Sequence, residues 1–189
     1  MKAVLPVADP AKFPVPARIT VEDFHRISEL GIYGKNAQLI RGVVVQKPPI
    51  SPLHRKISQR LHDQIYELRL PGFLVWRENP LTLRDSAPLP DLAVIAGTAS
   101  DFDLCHPSTA ELIVEVAVSS AVADREMAAI YAEAGVKEYW IVLPTERQVE
   151  VHRRPSSGQY RERQIFAEGE EIVCAALPPI RVSLGALFA

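Results

Sequence analysis

Two acids stand where a strand usually excludes charge. Asp91 opens the run Pro90-Asp91-Leu92-Ala93-Val94-Ile95, and Glu115 sits inside Leu112-Ile113-Val114-Glu115-Val116-Ala117-Val118. An ionised carboxylate in such a run loses hydration and costs several kcal/mol unless something compensates it. The compensating group is a cation, either a side chain or a metal ion. Asp91 and Glu115 are equidistant from Asp103 in the intervening segment. If the two runs pair as antiparallel strands around that point, the two acids are opposed on one face, with Cβ atoms roughly 5 Å apart. Carboxylates that close repel unless a proton or cation lies between them. A hard divalent ion such as Mg²⁺ is held by one or two carboxylates together with waters and phosphate oxygens. The plainer alternative leaves Asp91 at a solvated strand end and pairs Glu115 with an arginine.

The segments that must position these acids follow from pattern. Thr20-Val21-Glu22-Asp23 reads as an N-cap and acidic first turn opening a helix to about Leu30. Gln38 to Gln46 is β-rich and interrupted by Arg41-Gly42, which predicts a hairpin. Leu53, Ile57, Leu61, Ile65 and Leu68 recur at helical spacing, predicting a long helix to about Leu70 that ends at Pro71-Gly72. Strands are expected at 73–78, 80–84, 91–96 and 111–118. A helix over 123–134, closed by Gly135, comes next. Three more strands are expected at 138–143, 148–153 and 160–167, the last two separated by a turn at 155–158, and then a tail of short strand and loop. The fold class is α/β, a mixed sheet of seven or eight strands with two or three helices. The order strand, helix, strand from Glu111 to Leu143 reads as a crossover, so one strand pair is expected to be parallel.

Composition sets the bounds. The chain has 189 residues, 48% hydrophobic and 23% charged, which suits one globular domain over 19–189. Residues 1–18 are apolar and Pro-rich without a continuous hydrophobic core, and read as a surface arm rather than a signal peptide. A net charge of −2 gives no global field toward nucleic acid, so such a contact needs a local patch. Two distant cysteines, Cys105 and Cys174, fit a reducing compartment, and a cytoplasmic location is expected. No apolar stretch reaches the ~18 residues of a membrane span.

Pro-Asp, then a Glu in an apolar strand, then a helix, resembles the PD-(D/E)XK nuclease superfamily. The chain is similar more specifically to the Uma-type branch of restriction-endonuclease-like proteins, over roughly residues 19–188. The resemblance rests on ordered pieces: Thr20-Val21-Glu22-Asp23-Phe24, Leu39-Ile40-Arg41-Gly42, Ser51-Pro52-Leu53-His54, Pro90-Asp91-Leu92-Ala93-Val94 and Val114-Glu115-Val116-Ala117. The most distinctive piece runs from Tyr131-Ala132-Glu133-Ala134-Gly135 to Trp140-Ile141-Val142. It implies a restriction-endonuclease-like core, with Mg²⁺ or Mn²⁺ between catalytic Asp91 and Glu115. It further implies phosphodiester hydrolysis by an activated water, DNA as a partner and a homodimer as the assembly.

Three positions depart from the family pattern. The lysine expected four residues before Tyr131 is Met127, which carries no charge and shares an apolar stripe with Ala123, Ile130 and Ala134. The acid expected before Leu39-Ile40 is Gln38, and the one before Ser119-Ser120 is Val118. Under the resemblance these positions surround Asp91 and Glu115, so the pattern describes a nuclease site relieved of charge. Arg125 lies about 200° around the helix from Met127 and faces away. Lys47, Lys56 and Lys137 are other candidate cations, and nothing in the sequence places any of them. His54 could reach a phosphate, although a histidine at a helix start is more often a surface residue. Arg153, Arg154, Arg161 and Arg163 form the one basic cluster, read as an exposed hairpin with gatekeeping charges. Two readings stay open: a metal-dependent DNA endonuclease with impaired catalysis, and an inactive nuclease-fold protein that binds nucleic acid or protein.

Overall fold

The computed structural model describes residues 17–189. The arm expected over 1–18 lies almost wholly outside the described residues. Helix α1 spans Val21–Glu29; Thr20 caps it by accepting from the Asp23 N–H, with Glu22 and Asp23 in the first turn. Strands β1 (Ala37–Ile40) and β2 (Val43–Gln46) form a hairpin. Its turn residues Arg41 and Gly42 both have positive φ, 51° and 78°. This is the backbone that a two-residue hairpin with the twist of its strands requires. A Cβ at residue 42 would also lie 2.8 Å from the Arg18 Cβ, so glycine is needed twice over.

Helix α2 spans Pro52–Tyr66, with Ser51 as N-cap and Pro52 in the first turn. The periodic Ile57, Leu61 and Ile65 are buried, whereas Leu68 lies beyond the helix and is exposed. The main sheet has six strands in the order β3 (Phe73–Trp76), β4 (Leu92–Ala96), β5 (Leu112–Val116), β6 (Glu138–Leu143), β7 (Gln148–Ser156) and β8 (Gln159–Ala167). Only β5 and β6 run parallel, joined through helix α3 (Ala121–Glu133), as the crossover reading expects. Gly135, at φ 74°, follows its C-cap.

Alternation assigns the faces. Val94, Leu112, Val114, Trp140 and Val142 point toward α2 and the C-terminal helix α4 (Leu184–Phe188). Ala93, Ile113, Tyr139 and Ile141 point toward Ile130 and Tyr131 of α3. Strands β5 and β6 are buried at every position, as expected for strands covered on both sides.

Four details differ from the sequence expectations. Residues 80–84 form no strand, because Leu81 and Leu83 are buried in a loop that satisfies its N–H groups on Pro88 and Ser86 carbonyls. Strand β7 does not stop at Arg153. Pro155 pairs with Tyr160, and the turn shrinks to Ser157-Gly158. The hairpin β1–β2 is a sheet of its own, so the main sheet has six strands rather than seven or eight. The tail is a small hairpin, β9 (Glu171–Val173) with β10 (Arg181–Ser183), followed by α4, whose Leu184, Leu187 and Phe188 fill the α2 face.

Candidate functional site

The β4–β5 register pairs Leu92 with Val114, so one further step places Asp91 opposite Glu115. Both are buried, at 4% and 5% exposure. The Asp91 N–H donates to Glu115 Oε2 at 3.3 Å, and the Val116 N–H donates to Asp91 Oδ2 at 2.7 Å. The acids are thus joined across the strand end by main chain as well as by proximity.

The cation beside them is Lys47. Its Nζ donates to Asp91 Oδ1 at 2.8 Å, Glu115 Oε2 at 3.1 Å and the Leu89 carbonyl at 2.8 Å. An ammonium has three N–H donors, and all three are taken. Lys47 directly follows β2, so the hairpin delivers it. The hairpin is itself held down at its turn, where Arg41 forms two bonds to Glu133 of α3 and pairs with Asp85.

His54, on the first turn of α2, lies with Nε2 2.9 Å from Asp91 Oδ2. It is only 14% exposed, so it is not the surface residue its helix position suggested. Its Nδ1 is buried without a partner among the described residues. Helix α2 therefore brings its positive end and an imidazole to Asp91. On the other side, Tyr131 of α3 donates its phenol to Glu115 Oε1 at 2.9 Å. Asp124, one turn from Met127, lines the same cavity and accepts from the Ser120 hydroxyl at 2.6 Å.

Charge follows from these contacts. Burial opposes the Asp91 charge, but the His54 hydrogen bond and the Lys47 ammonium outweigh it and hold the carboxyl at about 2. Burial dominates at Glu115 and, with Asp91 adding to it against Lys47, pushes it up to about 8. Lys47 is also desolvated, yet the two acids raise its pKa above the ordinary lysine value. Burial raises Asp124 as well. The arrangement is one firm carboxylate, one carboxyl that is slow to ionise and one permanent ammonium.

These groups open onto a cavity of about 780 Å³. Gln38, Val118 and Met127 all line it, together with Ile40, Val45 and Ile130. These three residues thus share one cavity with Asp91 and Glu115. Arg125 faces away and binds Glu150 on β7. Lys137 pairs with Glu111, and Lys56 with the Ala189 carbonyl, both outside this cavity. Sequence reasoning left Lys47 unplaced and missed Asp124 and Tyr131 as site neighbours. The i, i+3, i+7 spacing of Asp124, Met127 and Tyr131 was the available signal, since it puts all three on one helix face. The basic cluster is largely neutralised: Arg153 binds Glu138, Arg163 binds Glu150, and Arg154 lies 3.4 Å from Glu162.

Two carboxylates suit a hard divalent ion, and no third acid, imidazole or thiolate joins them in a ligand group among the described residues. The oxygens within reach of such an ion are restricted. Asp91 Oδ2 is held by His54 and Val116, and Glu115 Oε1 by Tyr131. Lys47 bridges Asp91 Oδ1 and Glu115 Oε2, the latter also accepting the Asp91 N–H.

Comparison with known proteins agrees with this architecture. No curated protein matches the chain. A solved structure described as a "putative nuclease belonging to DUF820" from Anabaena variabilis ATCC 29413 shares the fold, with a TM-score of 0.74 at 19% identity over 90% of this chain and 97% of that one. The Uma2 family model, described as "Putative restriction endonuclease", matches residues 21–185. Covering nearly the whole chain, that match makes this protein a member of the Uma2 family.

Proposed function

We propose that the protein is a metal-dependent DNA endonuclease of the PD-(D/E)XK type whose catalysis is strongly impaired. The observation that carries this reading is the set of cations in contact with Asp91 and Glu115. Met127 stands where the family pattern has a lysine, and the nearby Lys47 has every donor engaged by Asp91, Glu115 and Leu89. Asp91 and Glu115 would hold Mg²⁺ or Mn²⁺, which when bound acidifies water and neutralises charge on a phosphate. The chain's own contribution is to fix the two carboxylates, through His54 and Val116 on one and Tyr131 on the other. Among the described residues no ammonium other than Lys47 contacts Asp91 or Glu115, and Lys35, which lines the same cavity, is an exposed residue that contacts neither acid. Loss of one preorganised charge-stabilising group lowers rates by about 10²–10³. DNA is the partner under this reading, with a cytoplasmic homodimer as the expected form.

A second reading, an inactive nuclease fold that binds nucleic acid or protein, draws support from the apolar cavity wall. Ile40, Val45, Val118 and Ile130 offer a phosphate backbone nothing but contact area. Cleavage of supercoiled plasmid with Mg²⁺ and with Mn²⁺ separates the two. The endonuclease reading expects slow nicking that Asp91→Ala abolishes. Nicking at the same trace level in Asp91→Ala favours the binding module, and fast nicking lost in Asp91→Ala removes the impairment.

A further inference from the structure

We propose that Lys47 is a built-in counter-ion which occupies the cation position between Asp91 and Glu115, so that a divalent ion binds only by displacing it. The inference rests on the reading that these two carboxylates are the metal ligands. It goes beyond that reading by assigning the weakness of the site to a residue outside the family pattern.

The geometry leaves little choice of oxygens. Four carboxylate oxygens are present, and three of them are engaged by groups fixed in the fold, Glu115 Oε2 by the Asp91 N–H at 3.3 Å. Asp91 Oδ2 accepts from the Val116 N–H in β5 and contacts the His54 ring of α2. Glu115 Oε1 accepts from the Tyr131 phenol in α3. The oxygens that face each other, Asp91 Oδ1 and Glu115 Oε2, lie 2.8 and 3.1 Å from the Lys47 Nζ. Those are charge-assisted hydrogen-bond distances. The third ammonium donor is closed by the Leu89 carbonyl, so Lys47 is satisfied where it sits.

Lys47 is also placed to leave. It is the first residue past β2, and its side chain is 22% exposed, unlike the acids at 6%. It is followed by Pro48, Pro49 and Ile50, which line the same cavity. An extended lysine side chain there can swing into solvent without moving the hairpin, whose far end is tied to Glu133 and Asp85. The protein therefore carries in one chain the charge balance that a metal ion would otherwise provide. The same contacts would then both stabilise the metal-free fold and oppose metal binding.

Three proteins test this: the full wild-type chain, Lys47→Met and the double variant Lys47→Met/Glu115→Gln. Each is titrated with MnCl₂, read by the electron paramagnetic resonance of free Mn²⁺ and by thermal unfolding. Lys47→Met without metal is expected to melt about 5–10 °C below wild type, because the two acids lose the ammonium that contacts both. Mn²⁺ is expected to bind it at least about tenfold more tightly than wild type and to restore most of the melting temperature. The double variant also removes the acid that burial already keeps hard to ionise, so Asp91, still held by His54 and the Val116 N–H, is left as the one carboxylate. This variant is expected to melt near wild type and to lose the Mn²⁺ response, which keeps the test readable if Lys47→Met folds poorly. Equal, tight Mn²⁺ binding by wild type and Lys47→Met overturns the counter-ion role and leaves the metal reading standing. No Mn²⁺ binding by folded Lys47→Met overturns both.

Discussion

Tyr131→Phe removes one oxygen atom from the middle of the protein and probes how Glu115 is held. The phenol is fully buried, and its hydroxyl is the one partner of Glu115 Oε1 among the described residues. Phenylalanine keeps the ring against Tyr139, whose centroid lies 4.9 Å away, so packing is nearly unchanged. What changes is a buried carboxyl oxygen left with no donor. A hydrogen bond to a charged group contributes about 1.5–3 kcal/mol, and one between neutral groups about 0.5–1.5 kcal/mol. Which range applies depends on pH, because burial pushes Glu115 up to about 8. The sign follows from linkage. Glu115 is raised in the folded state, so the fold binds the extra proton between the ordinary glutamate value and about 8. Its stabilising effect is complete below the ordinary value and is lost as pH rises through about 8. Tyr131→Phe removes a contact to the charged form, so the substitution should cost more at pH 9.5 than at pH 6. The expected difference is about 1 kcal/mol, or about 2–4 °C in melting temperature for a chain of this size. Urea unfolding of both proteins at the two pH values measures it. An equal cost at both values would refute the reasoning, since it would mean that Glu115 does not change ionisation between them.

Two further outcomes test the frame around the site. Glu138 is 1% exposed and accepts from Trp140 Nε1 at 2.8 Å, Arg153 Nε at 3.0 Å and the Ala175 N–H at 2.7 Å. Glu138→Gln strips the charge from under Arg153 and turns an amide NH₂ toward donors, so thermal unfolding should show a loss of about 3–5 kcal/mol. Glu150 is buried, but Arg125 and Arg163 overcome that burial and hold its pKa below the ordinary glutamate value. Its stabilising effect is present above the ordinary value and lost as pH falls below it. An acid-unfolding midpoint that moves to higher pH in Arg163→Ala would show this by circular dichroism.

Much of this was legible from the chain because strand alternation and helix periodicity are local rules. Asp91 and Glu115 could be opposed from their spacing alone, since the β4–β5 connection is nearly symmetric about Asp103. The face shared by Gln38, Val118 and Met127 was legible only through the family pattern, since three separate elements bring them together. The loop at 80–84 has the sequence pattern of a strand. Leu81 and Leu83 alternate like one, but their N–H groups close on their own loop. Lys47 was not placeable, because a hairpin's docking angle is set by tertiary contacts far from its sequence, here Arg41 on Glu133. Helix α4 was missed for its length, as five residues give too little periodicity to read.

Under the proposed function, Met127 stands where an active relative would carry a lysine. The direct measurement is metal-dependent plasmid nicking by Met127→Lys/Lys47→Met against wild type, under one Mn²⁺ concentration. The double variant returns a lysine to α3 and releases the carboxylates from Lys47. The account predicts that nicking rises by about 10²-fold or more and vanishes when Asp91→Ala is added. A wild type that already nicks as fast as the double variant would contradict it.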